Sequence, residues 1–154
     1  MKLWDFALAA YPRDEVREAC LKLQDEDGQC VCLLLWAGWA ASESRPLLPE
    51  TLAHAVAAAR QWEHGVTGPL RAARRSLRSH GHPVLAETVG AAEIEAERLL
   101  LVELEGLAPP PTVSAADQLK ALVAVASAWA PSPAPERLDA LARALASACR
   151  PPEL

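Results

Sequence analysis

Twelve consecutive residues, Cys30 to Ala41, read Cys-Val-Cys-Leu-Leu-Leu-Trp-Ala-Gly-Trp-Ala-Ala and carry neither a charge nor a polar face. Water rejects such a segment from every direction, so other parts of the chain have to cover it all round. It is too short to span a bilayer and the right length for a buried helix. The protein must therefore be built around a central helix. The remaining sequence has the material to wrap it. Ala and Leu make up more than a third of the 154 residues, whereas Ile, Phe and Tyr occur once each. Sheets draw on β-branched and aromatic residues, and helices on Ala and Leu. The expected fold is all-α, a compact irregular bundle of about six or seven helices, with no strand signal anywhere.

Apolar spacing and punctuation place the other helices. Leu3 to Ala10 is short and amphipathic, with Trp4, Leu8 and Tyr11 on one face. Pro12 is expected at the first position of a second helix, whose stripe is Val16, Ala19, Cys20 and Leu23 and whose stop is Gly28. In the central run Gly38 leaves room for another helix to come close, and Trp36 and Trp39 share a face. Glu50 to Ser79 reads as one long helix carrying Leu52, Val56, Ala59, Trp62 and Val66, then Leu70, Ala73 and Leu77, with a kink at Pro69. Val84 to Leu107 follows, with Leu85, Val89, Ala92, Leu99, Val102 and Leu104 facing inward. After the spacer Pro109-Pro110-Pro111, Ser114 is expected to cap a helix with Asp117 three residues on, and Leu119, Leu122, Val123, Ala126 and Trp129 face in. The last helix, Glu136 to Cys149, carries Leu138, Leu141, Ala142, Leu145 and Ala148. Six of the seven aromatic residues lie in the first 62 positions. The organisation is thus an aromatic-rich core over 1–108 and a lighter, proline-punctuated helix pair over 109–154 packed on it, in one domain.

The net charge of −5 and a pI of about 5.4 oppose binding to phosphate by the surface as a whole, so nucleic acid is an unlikely partner. The cysteines Cys20, Cys30, Cys32 and Cys149 fit no zinc spacing and read as reduced thiols of a cytosolic protein. No signal-peptide pattern is read at the start and no run is long enough for a membrane span.

The segments Leu3-Trp4-Asp5-Phe6-Ala7-Leu8 with Tyr11, Ala19-Cys20-Leu21 through Leu23-Gln24, Leu33-Leu34-Leu35-Trp36 with Trp39, Trp62, and Pro69-Leu70-Arg71 with Arg74-Arg75 together resemble a bacterial family of short helical proteins known only as a domain of unknown function. The resemblance covers about the first eighty residues. It implies a compact, all-helical cytoplasmic protein and supplies no reaction. Where the pattern carries a polar residue before the Leu run, this chain has Cys32.

One constellation is organised enough to suggest a surface. Arg71, Arg74, Arg75 and Arg78 fall at i, i+3, i+4 and i+7, one guanidinium stripe on a helix face. With a nearby tryptophan, Trp39 or Trp62, it would make a mixed patch for another protein, or for a second copy of this chain. The competing reading is internal pairing with Glu87, Glu93, Glu95, Glu97, Glu103 and Glu105 of the next helix, if the two fold back antiparallel across His80-Gly81-His82. Charge runs are more often paired or solvated faces. His80 and His82 have no third ligand nearby, and Glu93 with Glu97 lacks the Glu-x-x-His partners of a bundle metal site, so no metal and no cofactor are expected. No nucleophile motif or phosphate loop occurs, and no catalytic residue is assigned. Gln24 is a polar residue in an apolar stripe, either a ligand reader or a satisfied amide. The expectation is a non-enzymatic cytosolic interaction or adaptor protein using the arginine stripe. The alternative is a binder of a small apolar or anionic ligand in an inter-helix pocket lined by Trp36 and Trp62.

Overall fold

In the computed structural model, which describes residues 1–131 and 133–148, the fold is all-helical, and the described residues contain no strand. Its elements are α1 (Leu3–Ala10), α2 (Asp14–Asp27), α3 (Val31–Ser42), α4 (Pro49–Trp62), a π-helical turn (Glu63–Thr67), α5 (Gly68–Ser79), α6 (Pro83–Leu107), α7 (Gln118–Trp129) and α8 (Pro135–Ala148). The apolar run is the central helix. From Cys32 to Ala41 every residue of α3 is buried, and α1, α2, α4, α6, α7 and α8 all pack against it.

Gly38 takes the close approach expected of it. A Cβ there would stand 2.6 Å from Leu145 Cδ1 of α8, with the Phe6 ring on another side. The two C-terminal helices therefore do more than their composition suggests. Leu122, Val125 and Ala126 of α7 and Leu138, Leu141 and Leu145 of α8 belong to the same continuous core as Trp36, Trp39 and Phe6. The proline spacer is tied down on the way, with Thr112 N donating to Ser44 O at 2.8 Å and Arg45 Nη1 donating to Pro109 O at 2.8 Å.

Several local expectations shift. Pro12 lies before the helix instead of at its first position, because α2 begins at Asp14 with Arg13 as the extended residue ahead of it. Gly28 ends α2 with φ 62°, as expected. The cap of α7 is Asp117 instead of Ser114. Its Oδ1 accepts from Lys120 N at 3.1 Å, and the chain from Pro109 to Asp117 stays non-helical. Val123 is exposed and Val125 takes the inward place. Cys149, expected at the end of the last helix, lies outside the described residues.

The long helix of Pro49–Ser79 is continuous, and its irregularity falls before Pro69. Pro69 has no N–H for the carbonyl of residue 65. The chain absorbs this with one extra residue per turn over Glu63–Thr67, and Gly68 N donates to Glu63 O across the wider loop. A Cβ on Gly68 would lie 2.3 Å from that oxygen, so the turn requires glycine there. The extra residue also shifts the phase of the apolar face: Thr67 is buried and Val66, expected inside, is exposed.

The α6 face is rotated from the expected one. Leu85, Leu99 and Val102 are exposed, whereas Ala86, Glu93, Ala96, Leu100 and Leu101 are buried together with Leu104, as expected of it. The reason is Glu93, a carboxylate placed on the inner face because two arginines of α5 meet it there.

Candidate functional site

α5 and the first half of α6 form an antiparallel hairpin across His80-Gly81-His82. No residue of α5 is fully buried. Beneath the hairpin, against α1, α2 and α3, runs a groove of about 460 Å³. Its floor is Val31, Cys32, Leu35 and Leu101, and one wall is Trp4, Leu8 and Tyr11 of α1. The stripe Trp4–Leu8–Tyr11 is thus an amphipathic face that borders a groove, while the core face of α1 is Leu3, Phe6, Ala7 and Ala10. The opposite wall is α6, where Gly90 and Ile94 face the opening. Glu105 fixes α1 against α6, its Oε2 accepting from Leu3 N at 2.7 Å at the helix start, where an anion is favoured.

The four arginines divide into two kinds. Arg71 Nε donates to Glu93 Oε1 at 3.0 Å, Arg71 Nη1 to Glu63 Oε1 at 2.9 Å, and Arg71 Nη2 lies 3.6 Å from Glu97. Arg74 Nε donates to Glu93 Oε2 at 2.5 Å. Burial would lower the Arg71 value, but the charges of Glu63, Glu93 and Glu97 outweigh it and raise it; the Glu93 hydrogen bond does the same for Arg74. Internal pairing is the correct reading for these two. Among the described residues Arg75 makes only an exposed contact, with Asp25 at 3.7 Å. Arg78 has no side-chain partner among the described residues and stands at the end of the groove with its guanidinium available.

The tryptophans expected beside the stripe are elsewhere. Trp39 is buried at the other end of α3, where its Nε1 donates to Met1 O at 2.9 Å and Arg45 lies over its ring. Trp62 donates to Glu103 Oε2 at 2.7 Å along the α4–α6 seam, and Trp36 is wholly interior. Neither Trp39 nor Trp62 lines the groove, and Trp36 stands apart from it as well. Their place is taken by Trp4 in the groove and Trp129 in a smaller space next to it.

That second space is a polar chamber of about 250 Å³, and it shares Gln24, Val31, Cys32, Arg71 and Glu97 with the groove. Around it stand Glu63, Thr67, Gln29 and Cys30, with Trp129 as the outer wall. Thr67 Oγ1 donates to Glu63 Oε2 at 3.0 Å, and Trp129 Nε1 to Gly28 O at 2.8 Å. Burial, then the charge of Glu93, holds Glu97 above the ordinary carboxylate range. Sequence reasoning named Gln24 but missed Gln29 and Thr67, since nothing in a helix stripe marks which polar residue will be enclosed. His80 and His82 are exposed at the hairpin tip, and among the described residues no three His, Cys, Asp or Glu side chains lie close enough to hold a metal. No described helix is long and apolar enough to cross a membrane.

Residues 2–104 match a family model described as protein of unknown function DUF2390. The chain belongs to the DUF2390 family. Neither the curated proteins nor the solved structures yield a match. The DUF2390 region contains every residue lining the groove, while the chamber also uses Trp129 of α7, beyond it. The segments on which the resemblance rests, from Trp4 and Tyr11 through Gln24 and Leu35 to Arg71 and Arg74, meet at this groove.

Proposed function

We propose that this DUF2390 protein is a non-enzymatic cytoplasmic interaction module whose groove receives an amphipathic helix of a partner protein, apolar on one side and acidic at one end. The observation that carries the reading is the state of the groove's lips. Leu8, Leu21 and Ile94 come from three different helices and are 54%, 39% and 59% exposed. A ligand confined to about 460 Å³ would leave these lips wet. A helix laid along the groove would cover them, presenting side chains at i, i+3 and i+7 to the floor. Arg78 at the groove's end, and Arg75 beside it, supply the charge that an acidic residue of the partner would meet. The surface differs from the four-arginine stripe read in the sequence because Arg71 and Arg74 already hold Glu93.

A small-ligand reading has support of its own: the volume lies within the range of small-molecule sites, and burial raises Tyr11 and Glu97 on the groove wall. Photo-crosslinking residues placed at Leu8, Ile94 and, as a control, the exposed Val113 separate the readings. A defined protein crosslinked in cells from 8 and 94 but not from 113, and lost with Arg78→Glu, is the expected result. The same proteins captured from all three positions, or none from 8 and 94, would sink the proposal. A thermal shift of the purified chain with medium-chain carboxylates would then favour the small ligand.

A further inference from the structure

α6 has two apolar sides, and the core uses one of them. Ala86, Ala96, Leu100, Leu101 and Leu104 face inward together with Glu93. On the opposite side Leu85, Ala92 and Leu99 recur every seven residues, and Thr88, Glu95 and Val102 follow them at three. All six are exposed, with Leu85, Leu99 and Val102 at 52%, 42% and 52%. The outer face of a surface helix normally carries its charges. Between Thr88 and Val102 this face has one acid and one base, Glu95 and Arg98, which neutralise each other at 2.6 Å.

The period says what fits here. Residues repeating at seven, with a second series offset by three, are the core positions of a coiled coil, and such a seam is filled by another helix lying nearly alongside. From Leu85 to Val102 the seam runs about 26 Å at the rise of an α-helix. It is also its own complement when read in reverse. With a second α6 laid antiparallel, Leu85 faces Val102 of the other copy, Thr88 faces Leu99, and the small Ala92 leaves room for Glu95. Arg98 of one copy comes within two residues, about 3 Å along the axis, of the level of the exposed Glu87 of the other. Two-fold symmetry makes that pair of opposite charges twice. A parallel pairing in register would instead set Glu95 against Glu95, like charge on like.

We propose that α6 pairs antiparallel with α6 of a second copy of this chain through Leu85, Ala92, Leu99 and Val102, giving a two-fold symmetric dimer. The groove opens on another side of α6, since Ile94 at its lip stands about 100° round the helix from Glu95. The pairing is therefore independent of what the groove receives.

The test is sedimentation velocity of the full chain from about 1 µM to about 500 µM, where a monomer should give way to a dimer with a micromolar dissociation constant. Leu85→Glu and Leu99→Glu, near opposite ends of the seam, should each weaken the dimer at least about tenfold. Both positions are exposed in the single chain, so circular dichroism and urea midpoints should match the parent. Leu8→Glu, at the groove's lip, should leave the dimer unchanged while weakening capture of the groove's partner, so the two readings fail separately. In a chain carrying Leu85→Cys and Val102→Cys, mild oxidation and peptide mapping should find position 85 linked to position 102. That link has to join two copies, because the sites lie about 26 Å apart on one helix and a disulfide spans less than about 7 Å between Cα atoms. A chain still monomeric at about 500 µM, a dimer that keeps its affinity with either glutamate in the seam, a dimer lost with Leu8→Glu, or links joining 85 to 85 and 102 to 102 would each overturn the proposal.

Discussion

Replacing Glu93 by alanine removes the anion that holds the hairpin to itself. Glu93 is the one buried charged residue among those described, 5% exposed, and it accepts from Arg71 Nε and from Arg74 Nε and Nη2. Deleting one member of a fully buried ion pair costs about 3–5 kcal/mol, because the other charge is left without a partner. Here the two arginines differ in what remains to them. Arg71 keeps Glu63 at 2.9 Å and Glu97 at 3.6 Å. Arg74 keeps nothing among the described residues, but its side chain is 22% exposed and can turn toward water. The cost should therefore fall at or just below the bottom of that range, about 2–3 kcal/mol. In a domain of this size that lowers Tm by roughly 4–12 °C. Urea unfolding followed by circular dichroism should show a lower midpoint with an unchanged slope. The double variant Arg74→Leu/Glu93→Leu should recover most of the loss, since well-packed apolar pairs replace buried ion pairs at little cost. A loss below about 1 kcal/mol for Glu93→Ala would refute the view that this carboxylate organises the hairpin.

Gly68→Ala should destabilise by at least about 1–3 kcal/mol, because the new Cβ meets backbone and not a movable side chain, whereas Gly65→Ala, with open space at its Cβ, should be neutral or gain up to about 1 kcal/mol by helix propensity; urea midpoints of the two decide it. Leu145→Ala should cost about 2–5 kcal/mol and unfold the chain in one transition, and a loss confined to α8 with the rest still folded would show that the C-terminal helices are separable. Glu97→Gln should stabilise the chain near neutral pH. The folded Glu97 sits above its ordinary carboxylate value, so its favourable contribution is complete at low pH and fades as pH rises through the folded value; the gain from glutamine should therefore grow with pH and vanish in acid, as read by thermal melts across that range.

The central helix was legible because a segment with no polar face leaves only one place to go. The same logic found Leu138, Leu141 and Leu145, whose stripe has charges on its other side. It failed where a tertiary partner changes what counts as inside. Nothing local says that Glu93 will be buried and Leu99 exposed; that outcome depends on Arg71 and Arg74 lying across from it. It failed again at Thr67, because reading a stripe assumes a constant period, and the π-helical turn breaks it. Half of the site was visible in advance. Trp4, Leu8 and Tyr11 stood out as one face, and Arg78 as part of a stripe. Their convergence with Ile94 was not, since eighty or more residues separate Ile94 from α1 and only the folded hairpin brings them together.

The wide turn at Glu63–Thr67 has a consequence for how this architecture can vary in length. Each residue of an α-helix turns the chain by about 100°. Deleting one residue of the turn would index the helix beyond it by that angle, sweeping Arg71 and Arg74 off Glu93 and swinging the roof of the groove aside. The tip at Ser79–Pro83 has no such constraint: whole turns could be added there to both arms, lengthening the hairpin like a lever without altering its bearing on the core. The angle of the groove's roof is therefore set by a count of residues at its base, and its reach by a count at its tip.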